Sequence, residues 1–173
     1  MIVIADSGST KCNWQLVDDS GSVRRVQSRG INAVLQRPDE VEALLRETFA
    51  EPVQADALHF YGAGCGERYP EQSARLREAL ARYFPAARIA VESDLMGARA
   101  LLGGRAGIAC ILGTGSNSCY YDGVRIVRNT PPLGWVLGDE GSGTYIGRQL
   151  VGNLLKGLCD ESLRRLFFEE ERL

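Results

Sequence analysis

Two short glycine-hydroxyl turns carry the residues best suited to chemistry, Asp6-Ser7-Gly8-Ser9-Thr10-Lys11 near the start of the chain and Gly113-Thr114-Gly115-Ser116-Asn117 in its second half. Glycine permits positive φ and lets backbone N–H groups approach a ligand, while the hydroxyls and Lys11 add donors and charge; together these are what a phosphate group requires. Each turn joins two strand-like runs, Ile2 to Ala5 with Asn13 to Val17, and Gly107 to Leu112 with Cys119 to Tyr121, so both read as hairpin tips. Neither has the spacing of a P-loop or of the GxGxxG dinucleotide fingerprint, which sets those two nucleotide-binding designs aside.

The acids come next, because His59, the single histidine, lies within a strand and leaves carboxylates as the candidate bases. Asp6, at the end of the first strand, could hold a magnesium ion through phosphate and water, or shape the turn as an Asx residue. Asp94 follows the strand Arg88 to Ser93 at the carboxyl edge of the sheet, where α/β proteins bind ligands; it could act as a base or simply cap the next helix. Asp139 sits in the glycine-rich run Gly134 to Gly143 just before a helix, where it could cap or line a pocket, and Trp135 in the same run offers a flat face of the kind sugars pack on. Asn32, in Gly30-Ile31-Asn32, could exchange hydrogen bonds with a hydroxylated substrate.

Five cysteines without a CxxC pair, in a chain with one histidine, fit neither a zinc site nor a disulfide framework. Cys65 stands apart, because Gly62-Ala63-Gly64-Cys65-Gly66 reads either as a loop exposing a thiol or as a flexible turn.

The elements that must position these residues alternate. A three-strand meander is followed by a helix over Arg37 to Phe49, a strand over Ala57 to Tyr61, a helix over Tyr69 to Phe84, the strand Arg88 to Ser93 and a helix over Leu95 to Leu102, giving the order βββαβαβα. This order predicts an α/β fold in which an antiparallel meander joins parallel strands in one mixed sheet. A second meander starts at Gly107 and repeats the first down to its second bend, Asp18 to Ser22 in one and Asp122-Gly123 in the other. A helix over Ser142 to Leu158 and a charged, solvated helix over Asp160 to Leu173 complete the chain, with lobes expected over residues 1–104 and 105–173.

Composition narrows the classes. The 173 residues are 45% hydrophobic and 24% charged, which predicts a soluble globular protein with a substantial core. Twenty basic residues scattered among twenty-two acidic ones leave a net charge of −2, with no electrostatic footprint for nucleic acid. No apolar run reaches membrane-spanning length and no charged leader precedes the first strand, so the expected location is the cytoplasm without membrane association.

The turns together with Gly30-Ile31-Asn32, Glu92-Ser93-Asp94 before a small-residue helix, and Gly134-Trp135-Val136-Leu137-Gly138-Asp139-Glu140-Gly141-Ser142-Gly143 resemble the N-acetylglucosamine kinase and benzoyl-CoA reductase-activator ATPase family, within the actin, heat-shock chaperone and sugar kinase superfamily. The resemblance runs in family order along nearly the whole chain. It implies two ribonuclease-H-like lobes with ATP and Mg2+ between them, the second lobe only begun here. It further implies Ser7, Gly8, Ser9, Thr10 and Lys11 as one phosphate segment, Gly113, Thr114, Gly115, Ser116 and Asn117 as the other, and Asp6 on the magnesium side. Asp94 matches the base that accepts the proton of an amino-sugar hydroxyl, and Asn32, Trp135 and Asp139 match sugar contacts. Kinases of the family phosphorylate an amino sugar; the activator branch carries an iron–sulfur cluster between two subunits, and the cysteines here are not in its positions. A non-catalytic sugar or nucleotide sensor is a further alternative. Because family members continue through a complete second lobe, the expectation for these 173 residues is weak nucleotide affinity, little or no turnover, and an exposed edge that could support a homodimer.

Overall fold

The computed structural model describes residues Met1–Glu170. Period-two alternation decides the buried face of the first hairpin: Val3, Ala5 and Ser7 of β1 (Ile2–Ser7) and Cys12, Trp14 and Leu16 of β2 (Lys11–Val17) point into the core, while Asp6 faces outward. β3 (Val23–Arg29) completes the meander on the far side of β2. Its bend is shaped by Asp18, whose Oδ1 accepts the N–H groups of Ser20 and Ser22, each at 2.9 Å. Asp122 does the same in the second meander, accepting from Val124 and Arg125 at 2.8 Å each. The repeat legible in the sequence thus extends to the hydrogen bonds of the second bends.

α1 (Pro38–Thr48), β4 (Ala57–Gly62), α2 (Pro70–Tyr83) and β5 (Arg88–Ser93) follow, and the five strands lie in the order β3-β2-β1-β4-β5. β1 pairs antiparallel with β2 and parallel with β4, which pairs parallel with β5. This is the mixed sheet that the element order predicts. α1 and α2 begin at Pro38 and Pro70, where the missing N–H costs nothing. They bury Val41, Leu44 and Leu45, and Leu76, Ala79 and Leu80, against Trp14, Leu58 and Phe60 of the sheet. The Trp14 and Phe49 rings meet edge to face at 5.4 Å, and Trp14 Nε1 donates to Ser28 Oγ at 2.9 Å, so the indole is wholly buried with its polar atom paired.

Three segments differ from the sequence reading. The helix expected over Leu95 to Leu102 is two pieces, α3 (Asp94–Ala98) and a 3-10 turn over Arg99–Leu102. Gly97 weakens the first piece but lets it lie close to the sheet, since a Cβ there would stand 3.1 Å from that of Tyr61. The run after Pro132 is not all loop, because Gly134–Leu137 winds into a short helix, α4. The last helix expected divides into α6 (Glu161–Arg165) and a π-type turn over Leu166–Glu170, with Glu171, Arg172 and Leu173 outside the described residues.

The second meander forms its own three-stranded sheet, β6 (Gly107–Leu112), β7 (Ser116–Tyr121) and β8 (Ile126–Thr130) in that order, and α5 (Gly143–Leu155) follows α4. By packing, the chain divides into two units. One comprises Met1–Cys110 and Ser118–Asn129, the other Ile111–Asn117 and Thr130–Leu173.

Candidate active site

In the first unit, parallel pairing sets the candidate residues in register at one edge of the sheet. Asp6, Tyr61 and Glu92 are neighbours across β1, β4 and β5, and so are Ser7, Gly62 and Ser93 one step on. Asp94 comes immediately after, two strand spacings from β1, about 10 Å laterally. Of its two readings, capping goes to its neighbour: Ser93 is the N-cap of α3, its hydroxyl accepting from Met96 N–H at 3.4 Å. The Asp94 carboxylate takes Leu95 N–H at 2.9 Å. Burial pushes the Asp94 carboxyl above the ordinary aspartate range; the Leu95 N–H opposes this and the nearby charge of Asp6 adds to it. A partly buried carboxylate raised toward neutrality, at the carboxyl edge of a sheet, is suited to accept a proton.

The first glycine turn is fixed from below and open above. Gly8 N–H closes the tip on Lys11 O at 3.0 Å, and Gly30 N–H anchors it through Thr10 O at 3.0 Å. A Cβ on Gly30 would run into the backbone of Gly8 and Ser9, so only glycine lets the end of β3 lie this close. Ser7 is wholly buried; its hydroxyl donates to Ile31 O at 3.0 Å and accepts Ile31 N–H at 2.8 Å. Its side chain is therefore a latch beneath the turn, while Gly8, Ser9, Thr10 and Lys11 are exposed. Asn32 reaches the same turn, its Nδ2 donating to Ser9 Oγ at 3.3 Å. Gln36, which the sequence reading passes over, sets that geometry: its Oε1 accepts Asn32 N–H at 2.8 Å and its Nε2 donates to Gly30 O at 3.2 Å. Nothing in the spacing of Gln36 announces this, because it follows a loop of no regular period.

Cys65 is buried, which removes the exposed-thiol reading. Burial, with the Asp94 carboxylate alongside, pushes its thiol up to about 12, so little thiolate forms at neutral pH.

The second unit holds the other glycine turn with Asp139 and Trp135. Gly113 N–H donates to Gly115 O at 2.9 Å across the tip, and the first N–H groups of α5 dock on the turn, Gly143 on Gly113 O at 2.8 Å and Thr144 on Thr114 O at 3.3 Å. Asp139 does not cap α5. That role belongs to Ser142, whose hydroxyl accepts Tyr145 N–H at 3.1 Å. Asp139 instead turns back to the glycine turn, its Oδ1 accepting Ser116 N–H at 3.1 Å. Trp135, on α4, is 65% exposed. Arg148 of α5 donates to the carbonyls of Trp135 and Val136, holding α4 by its backbone and leaving the indole face open.

Among the described residues no three His, Cys, Asp or Glu side chains gather as a metal cage. The donor set around Asp6 fits a magnesium ion only if phosphate and water supply its other ligands, as that ion prefers. Likewise, no helix among the described residues is long and apolar enough to cross a membrane.

A meander continued into parallel strands, with a hydroxyl-rich glycine turn at its first bend, defines a lobe of the actin-like ATPase class. The chain belongs to the actin-like ATPase and sugar kinase superfamily. A candidate N-acetylglucosamine kinase from Porphyromonas gingivalis is 44% identical to it over 100% of this chain and 62% of that one, with a TM-score of 0.91. Another, from Chromobacterium violaceum, is 23% identical over 97% of this chain and 62% of that one, with a TM-score of 0.69. The ethanolamine utilization protein EutJ from Carboxydothermus hydrogenoformans shares the fold at 17% identity and a TM-score of 0.55, over 87% of this chain and 56% of that one. The chain thus spans less than two thirds of each of these proteins. No family model and no curated protein matches it.

Proposed function

We propose that the chain carries the base and sugar-binding half of an ATP-dependent amino-sugar kinase, acting on a substrate such as N-acetylglucosamine. The observation that carries the proposal is Asp94: released from capping by Ser93, half-buried, raised in pKa, and in register with the Asp6 turn. The 44% identity to a candidate kinase of that specificity supports it. In this reading Asp94 accepts the proton of the sugar hydroxyl as that oxygen becomes the nucleophile. Asn32 exchanges hydrogen bonds with the sugar; in the other unit, taken by itself, the open indole of Trp135 is a face of the kind sugar rings pack on. Exposed Ser9, Thr10 and Lys11 supply hydroxyls and positive charge for phosphate oxygens, and Asp6 is the metal-side acid. ATP, when bound with magnesium, supplies the phosphoryl group and the cation that offsets its charge.

The activator branch fits less well. Two of the five cysteines, Cys12 and Cys65, are buried with thiols pushed up to about 12, and Cys119 is buried as well, so few thiolates remain for a shared cluster.

Calorimetric titration of the chain with N-acetylglucosamine, glucosamine, N-acetylmuramate and glucose, with and without a non-hydrolysable ATP analogue, tests the reading. Saturable binding of an amino sugar, strongly weakened in Asn32→Ala, is expected. Binding of none of the sugars would contradict it.

A further inference from the structure

From the second glycine turn we infer that Asp139 is a positioning residue that locks the Gly113–Asn117 turn in its phosphate-binding shape. The inference rests on the kinase reading for what the turn binds, but the lock itself stands on geometry.

Asp139 is 9% exposed, and its backbone is left-handed, with φ +56°. Aspartate and asparagine tolerate that region better than other residues bearing a Cβ. The conformation is held by two backbone bonds, Asp139 N–H to Pro132 O at 3.1 Å and Ser142 N–H to Asp139 O at 3.0 Å. It aims the carboxylate at the turn, where Oδ1 takes Ser116 N–H. Gly115 leaves the space for this: a Cβ there would stand 3.0 Å from Oδ1 and 3.3 Å from Oδ2. A hydrogen bond to an ionised carboxylate is stronger than one between neutral groups, so this bond holds the Ser116 peptide firmly in place. The start of α5 grips the other side of the same tip through Gly113 O and Thr114 O, so the turn is held at three points.

Two substitutions separate the acceptor from the backbone. Asp139→Asn keeps both the left-handed preference and an oxygen for Ser116 N–H; Asp139→Gly keeps the backbone freedom and removes the acceptor. Amide exchange at Ser116, followed by NMR, reads the lock without any ligand. Ser116 is expected to exchange about tenfold or more faster in Asp139→Gly and to be near wild type in Asp139→Asn. In parallel, affinity for a non-hydrolysable ATP analogue with magnesium is expected to fall by about tenfold in the glycine variant and to return in the asparagine variant. Equal Ser116 exchange in all three proteins overturns the lock. Nucleotide affinity equal in wild type and Asp139→Gly, with Ser116 exchanging faster in the latter, overturns the positioning role for phosphate. Should wild type bind no nucleotide while Ser116 is protected in wild type and Asp139→Asn but not in Asp139→Gly, the phosphate reading of the turn fails and the lock survives.

Discussion

At the level of single residues, function depends on which acid is free to do chemistry. Asp6, Asp94 and Asp139 all stand beside glycine or a helix start, where a carboxylate more often caps or shapes a turn. Their neighbours decide the matter for two of them, since Ser93 and Ser142 take the caps. Burial raises the folded pKa of Asp94 above the unfolded value near about 4. Between those two values the folded state holds more protons than the unfolded one, so stability falls as pH rises through that window, and at neutral pH the ionised carboxylate is a net cost to folding. Asp94→Asn is therefore expected to unfold at higher denaturant concentration than wild type at pH 7, with the difference shrinking below about pH 4, while the acidic limb of any transfer rate moves above the ordinary aspartate range in wild type. A variant less stable than wild type at pH 7 would contradict the burial argument.

At the level of elements, the sheet edge is what brings the site together, and its parts are unequally legible in the sequence. Strong periodicity and punctuation mark the strands and α1 and α2, because apolar residues at helical or alternating spacing must face one core; the starts at Pro38 and Pro70 and the bends at Asp18 and Asp122 follow local rules. The Trp135 run reads as loop because α4 has only four residues and starts after Leu133, whose φ of 56° no propensity scale anticipates. The clamp formed by Gly30, Gln36 and Asn32 is only half visible, since long-range backbone contact leaves no period in the chain. Gly30→Ala should force the Gly8–Ser9 backbone aside; nucleotide affinity is expected to drop by about tenfold or more with little change in circular dichroism. Wild-type affinity in that variant would show that the clamp does not shape the turn. The core beneath is tested by Trp14→Ala, for which chemical denaturation is expected to show a loss of about 3–5 kcal/mol, as for other fully buried large side chains.

At the level of the molecule, the two meanders carry different burdens. The first lies over a continuous core of Trp14, Leu45, Leu58, Phe60, Leu80 and Phe84, all buried. The second presents one face of β6, with Ile108, Cys110 and Leu112, to solvent. Such an apolar stripe drives association. Sedimentation velocity is expected to show self-association that grows with concentration and weakens in Ile108→Lys; a single monomeric species for both at high concentration would contradict this. The central claim, that Asp94 is the base of an amino-sugar kinase, is met most directly by a single-turnover experiment with the chain in excess over γ-labelled ATP, magnesium present and N-acetylglucosamine saturating, following labelled sugar phosphate. Slow formation of product by wild type, reduced about 100-fold or more in Asp94→Asn with sugar binding retained, is the predicted result. Equal rates from the two proteins, or a rate lost in Asp94→Asn together with sugar binding, would contradict it.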